Sequence, residues 1–139
     1  MAVPQAGTGL PAQTFRVTRA DLVRYAGASG DFNPIHWSDR IAAKVGLPGV
    51  IAHGMLTMAL VGRAVTAWAG RPDAVHDYGV RFTKPVVVPD DDVGAEVEVI
   101  AIVRETTEDG LTRLDLTVTS GGEKVLAQAR AVVRLTREV

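Results

Sequence analysis

The sequence predicts an α+β domain in which an antiparallel sheet of about five strands curls around one long buried helix. Three observations carry this prediction. Gly54 to Ala69 offers only Thr57, Arg63 and Thr66 as polar side chains, and a helix that is apolar nearly all round is a buried one. Beyond Gly70 the hydrophobic period falls to two, and the last three such segments follow one another directly, the pattern of half-buried antiparallel strands. A chain of 139 residues suits a single domain, 1–139, with a real core and no linker.

Residues 1–12 are rich in Gly, Pro and Ala without periodicity and read as a loose arm leading to a short strand near Thr14 to Val17. Thr18 with Asp21 three positions on is a helix start; Gly27 and Gly30 stop that helix. Ser38 caps a second short helix through Lys44, which ends at Gly46. The long helix follows, then a strand from about Val75 to Thr83 closed by Lys84-Pro85. Val93, Ala95, Val97, Val99, Ala101 and Val103 share one parity of the next strand. Leu114, Leu116 and Val118 do so in the one after. Val125 to Leu135 completes the set, with Ala127, Ala129, Ala131 and Val133 inward, after a Ser120-Gly121-Gly122 turn. Edge strands left open in such a sheet pair with another copy or a relative, so a dimer is expected.

Composition narrows the function. Hydrophobic residues at 47% and charged residues at 22% describe an ordinary globular protein, and aromatics at 5% leave Val, Ala and Leu to build the core. A net charge of -1 from 15 basic and 16 acidic side chains provides no field for gripping nucleic acid. The absence of Cys removes thiolate metal sites and cysteine nucleophiles together. No leader pattern opens the chain and no run approaches the roughly 18 apolar residues of a membrane span, so a cytoplasmic location without membrane contact is expected.

The chemistry concentrates between residues 29 and 57. Asp31 and His36 flank Asn33-Pro34, and because Pro34 fixes its own φ and disfavours helical geometry at Asn33, the segment is an irregular loop able to aim two side chains at one point. An imidazole can take a proton at neutral pH. A carboxyl group in an apolar site can be tuned to exchange one with water or a hydroxyl. Gly54 opens the long helix, where backbone N–H groups and the helix dipole favour an oxyanion and a missing side chain permits close approach. Base, proton exchanger and oxyanion site are the parts needed to remove or add water beside an activated carbonyl.

These residues also carry a family resemblance. Gly30-Asp31-Phe32-Asn33-Pro34-Ile35-His36 with Ile51-Ala52-His53-Gly54-Met55 strongly resembles the signature of MaoC-like, (R)-specific enoyl-thioester hydratases and dehydratases of the hot-dog fold. The longer runs through Trp37 and Met58 resemble most closely the B-type, catalytic subunit of two-subunit 3-hydroxyacyl-ACP dehydratases of mycolic-acid elongation. The resemblance implies a single hot-dog domain and a hydro-lyase without cofactor. It implies reversible hydration of trans-2-enoyl thioesters, or dehydration of (R)-3-hydroxyacyl-CoA or -ACP, in fatty-acid-type metabolism. Asp31 and His36 would be the catalytic pair, Asn33 would orient them, and the Gly54 amide would hold the thioester oxygen. Its partners would be an acyl-CoA or acyl-ACP substrate and, in a dimer, a second copy or a related hot-dog subunit. One departure is Gly62, where some single-subunit members place a Ser against the catalytic Asp.

Other readings stand beside this one. A hot-dog acyl-CoA thioesterase and a non-catalytic partner subunit of a dehydratase are the competing functions. His53, just before a helix, reads as structural support that bonds backbone. Asp31, His36 and His53 lack zinc or facial-triad spacing, so no metal is expected. Trp37 is placed to wall the pocket beside His36, His76 is a surface residue, and Asp90-Asp91-Asp92 is a solvated turn. Arg71, Arg81 and Lys84 are the cations available to substrate phosphates.

Overall fold

The computed structural model describes residues 4–135. Strand β1 (Gln13–Val17) leads into helix α1 (Arg19–Ser29); a 3-10 turn (Pro34–His36) and the short α2 (Asp39–Lys44) precede the long α3 (Gly54–Ala69). After a second 3-10 turn (Pro72–Ala74) come β2 (Val75–Phe82), β3 (Ala95–Thr106), β4 (Leu111–Ser120), the two-residue β5 (Glu123–Lys124) and β6 (Leu126–Arg134). The sheet order is β1-β3-β4-β6-β2, antiparallel throughout, with β5 paired to the end of β4. Five principal strands were expected, and β5 adds a sixth, short one.

Local sequence accounts for the boundaries. Thr18 and Asp21 form a reciprocal capping box, which satisfies two of the N–H groups a helix start leaves open. Helix α1 runs through Gly27 and ends only at Gly30, because a glycine inside a helix weakens it without breaking it. Ser38 caps α2 through the Ile41 N–H. On β3 the side chains of Ala95, Val97, Val99, Ala101 and Val103 are buried in strict alternation, and Leu114, Leu116 and Val118 answer them from β4. Against this face lie Leu60, Val61, Ala64 and Val65 of α3. Helix α3 is therefore buried on one side rather than all round: Met55, Ala59, Arg63 and Ala67 face outward, since a sheet in one chain can cover only one face of a helix.

Three further expectations are corrected. The arm before β1 is not loose where it is described: Gly7 N–H donates to the Val103 carbonyl (2.7 Å) and Leu10 N–H to Ala101 (2.9 Å), so residues 7–10 prolong the β1 edge along β3. Residues 1–3 of that arm lie outside the described residues. Val93 does not belong to the inward set of β3; it is exposed in the turn that precedes the strand. On β6 the inward residue is Leu126, not Ala127. The cause is a bulge at Gln128 (φ 48°): Gly79 faces Arg130 while Arg81 faces Ala127, so a two-residue step on β2 spans three on β6, and an inserted residue reverses parity.

A further pairing, unforeseen from the sequence, positions the site. Ala52 N–H donates to the Val86 carbonyl and Val88 N–H to that of Val50, both at 2.9 Å. Residues 50–52, which lead into α3, are thereby stitched to the Pro85–Pro89 segment. Arg19 secures the corner: its Nε donates to the Val88 carbonyl (2.7 Å) while its guanidinium pairs with Asp39 (2.8 Å).

Candidate active site

The loop between α1 and α2 builds itself from local hydrogen bonds. Asp31 N–H donates to Ser29 Oγ (3.1 Å), Asn33 N–H to Asp31 Oδ1 (3.1 Å) and Ile35 N–H to Asn33 Oδ1 (3.2 Å). Short polar side chains that accept from the backbone two residues on hold such turns. Two consequences follow. The Asn33 side-chain oxygen caps its own 3-10 turn, while the Asn33 backbone N–H holds Asp31 Oδ1. Asp31 Oδ1 is committed to the same loop, leaving Oδ2 to face outward.

What Oδ2 meets is His36 Nε2, at 3.8 Å. The His36 ring is buried (7% exposed) and its Nδ1 lies 2.7 Å from the Ile51 carbonyl. A carbonyl can only accept, so Nδ1 carries the proton and Nε2 presents a bare lone pair toward Asp31. The separation is too long for a direct hydrogen bond and suits one oxygen atom bound between the two groups. Asp31 is half exposed beside it.

His53 lies beneath. Its ring stacks on that of His36 (centroids 3.8 Å apart, planes 21° apart) and meets the edge of Tyr25 at 4.7 Å. Its Nε2 is 3.1 Å from the Asp31 carbonyl and donates to it, which leaves Nδ1 as a buried acceptor with no partner among the described residues. Burial is the main reason the His53 pKa lies below its usual value; His36 nearby lowers it further, and the bond to Asp31 opposes both. One ligand atom from each of Asp31, His36 and His53 falls within 4.8 Å of the others. Stacked rings, however, aim their lone pairs along nearly parallel planes, which cannot meet at one ion about 2.0–2.1 Å from each nitrogen.

Beside the pair a cavity of about 240 Å³ is walled by His36, Gly54, Thr57, Phe82, Lys84 and Val86 among others. At its edge α3 begins. His53 is the N-cap residue and gives no side-chain bond to the helix, so the leading N–H groups stay open, next to the positive end of the dipole. Phe82 lies over Gly54: a Cβ on this residue would stand 3.1 Å from the Phe82 ring. A larger hollow, about 630 Å³, lies on the other face of the sheet between Arg104, Arg113 and Arg130. Arg104 is paired with Asp115 and Arg113 with Glu105, and no acid-base pair of the Asp31–His36 kind lines it.

The remaining sequence candidates fall into place. Trp37 does not wall the cavity; it is 56% exposed and its indole N–H braces the loop by donating to the Phe32 carbonyl (2.9 Å). Lys84 lines the cavity and pairs with Glu123. Arg71 stands past the C-terminal end of α3, paired with Asp73, about 24 Å along the helix from Gly54 at 1.5 Å per residue. A side chain at Gly62 would touch the Tyr78 ring at 3.6 Å, so that position faces β2 and not Asp31. His76 is exposed, and Asp91 Oδ1 accepts from Val93 and Gly94 in a surface turn, as expected. Sequence reasoning missed Tyr25 and Phe82, whose parts depend on distant chain segments meeting.

Comparison with known proteins identifies the family and the fold. Residues 3–120 match the family described as MaoC like domain. A 3-hydroxyacyl-thioester dehydratase X from Mycobacterium tuberculosis is 52% identical over 80 residues, covering 57% of this chain but only 27% of that protein. A 3-hydroxybutyryl-CoA dehydratase from Methylorubrum extorquens is 32% identical over 123 residues, 88% of this chain and 75% of the relative. Among solved structures, a MaoC-like dehydratase superposes with a TM-score of 0.91 at 40% identity, across 96% of this chain and 41% of the other. An (R)-hydratase from A. caviae involved in PHA biosynthesis superposes with a TM-score of 0.82 at 25% identity, across 98% and 100%. The fold is the hot-dog fold of these proteins, and the chain belongs to the MaoC-like domain family.

Proposed function

We propose that this chain hydrates trans-2-enoyl thioesters reversibly and so dehydrates (R)-3-hydroxyacyl-CoA or -ACP. The observation that carries the reading is the pair itself: a bare imidazole Nε2 and a carboxylate oxygen 3.8 Å apart, with His36 in the wall of a largely apolar cavity whose edge holds free helix N–H groups. In the dehydrating direction His36 Nε2 takes the α-proton while the thioester oxygen, held at the Gly54 N–H, accepts the charge. The proton then passes from Nε2 to the departing β-oxygen held by Asp31, and water leaves. Both groups act from one side of the substrate, so the elimination is syn. In this scheme Asn33 sets the loop, and His53 supports both members of the pair through its stacking and its bond to the Asp31 carbonyl.

The reading includes an assembly. Phe32 (62% exposed) and Met55 (58% exposed) flank the catalytic loop and the head of α3, and β1 and β2 leave open sheet edges. A second hot-dog domain, from another copy or a related subunit, would cover these surfaces. The chain's 41% share of the MaoC-like dehydratase leaves room there for another domain of this size. A cytoplasmic location is part of this reading, and among the described residues no helix is long and apolar enough to cross a membrane.

The test follows the ultraviolet absorbance of the conjugated thioester with crotonyl-CoA and a longer enoyl-CoA. Loss of absorbance without release of free CoA thiol supports the hydratase. Thiol release from a saturated acyl-CoA would assign the site to a thioesterase instead.

A further inference from the structure

The cavity holds a hydroxyl that the reaction scheme above does not use. Thr57 is 4% exposed and lines the cavity together with His36 and Gly54. A threonine inside a helix ordinarily donates back to the carbonyl three or four residues earlier. Thr66 in the same helix does this, to Arg63 at 3.0 Å. The Thr57 hydroxyl makes no such bond, nor any other among the described residues. It is not sealed off either, since His53 Nδ1 is the single enclosed side-chain polar atom without a partner among them. What it opens onto is the cavity.

The other polar groups in that wall sort themselves. Thr83 donates to the Lys124 carbonyl, Lys84 pairs with Glu123, and His36 Nδ1 donates to Ile51. Three remain free: His36 Nε2, the Gly54 N–H and the Thr57 hydroxyl. Gly54 and Thr57 are three residues apart in α3 and so project from the same face of the helix. A buried hydroxyl without a partner costs stability, and a cavity wall of this composition could hold Val in its place at no steric expense.

From this we infer that Thr57 is a further catalytic residue, the second hydrogen-bond donor to the thioester oxygen, acting with the Gly54 amide. The inference rests on the proposed hydratase reading and deepens it. Two donors from one helix face fix the direction of the carbonyl, and with it the face on which the α-carbon meets His36. The groups that stabilise charge developing on a carbonyl oxygen are usually such preorganised donors in a site that excludes water.

The experiment compares the wild type with T57V, T57S, T57A and D31N on crotonyl-CoA, with kcat and KM separated and thermal midpoints recorded. T57V should lose about a hundredfold in kcat, the order expected for removal of one such donor, with a thermal midpoint no lower than that of the wild type. T57S should stay within about threefold of wild type and T57A should resemble T57V, because a hydroxyl is all that separates T57S from T57A. Equal rates for T57S and T57A, or wild-type kcat in T57V while D31N is inactive, would overturn the assignment of Thr57 and leave the hydratase standing. Wild-type protein that hydrates neither crotonyl-CoA nor a longer enoyl-CoA would overturn the hydratase reading and this inference with it.

Discussion

His36 shows how much one backbone carbonyl decides. The Ile51 carbonyl accepts a hydrogen bond from Nδ1–H, so the nitrogen left to react is the one that faces Asp31. Replacing either partner should remove the shared proton transfer: D31N and H36A are each expected to lower turnover by at least about a hundredfold, measured by enoyl absorbance. His53 makes a separate prediction about stability. Burial holds its pKa below the usual 6.5, so the folded chain keeps it neutral while the unfolded chain takes up a proton as pH falls through that value. The unfolded state then binds more protons and stability declines toward acid. The urea midpoint should therefore be lower at pH 5.5 than at pH 7.5, and H53Q should flatten that difference. An unchanged pH dependence in H53Q would remove His53 as its source.

Among the elements, β1 and β3 depend on one point of close approach. Gly94 has φ 71°, and a Cβ there would lie 2.2 Å from the Val17 carbonyl oxygen at the end of β1. G94A cannot be accommodated without moving backbone, and a loss of upward of about 2 kcal/mol is expected, visible as a lower thermal midpoint. Gly54 at the head of α3 is a different case. The atom a methyl would meet is the edge of Phe82, which is 52% exposed and free to swing. G54A should fold nearly as well as wild type yet turn over about tenfold more slowly or worse, because the methyl and the displaced ring crowd the oxyanion position. The contrast between these two glycines is between a rigid carbonyl and a movable ring.

For the molecule as a whole, the outward face of α3 is the telling surface. The sequence of this helix reads as fully buried, and in one chain half of it is not. Met55 sits on that face beside the site, so if the proposed second hot-dog domain covers it, M55E should shift the assembly toward monomer in sedimentation and lower activity together. Wild-type assembly in M55E would place the interface elsewhere. The sheet was legible in the alternation of Val97, Val99 and Ala101 and of Leu114, Leu116 and Val118, and the start of α1 in Thr18 and Asp21, because each of these signals is local. The reversal at Gln128 was not legible, since a bulge leaves no mark in a run of small and polar residues. The pairing of 50–52 with 86–88 was hidden for another reason: it joins segments more than thirty positions apart in the chain.

By itself the sequence determined the class, the capped helices, the alternating strands and the two blocks of residues that hold the chemistry, because periodicity, capping and turn preference act over a few neighbouring positions. Tertiary structure alone decided that Asp31 and His36 converge and which imidazole nitrogen is free. It also decided that His53 stacks underneath and that Thr57 opens onto the cavity with Gly54. These outcomes depend on where a distant carbonyl or ring comes to rest, and that is set by packing the whole core at once.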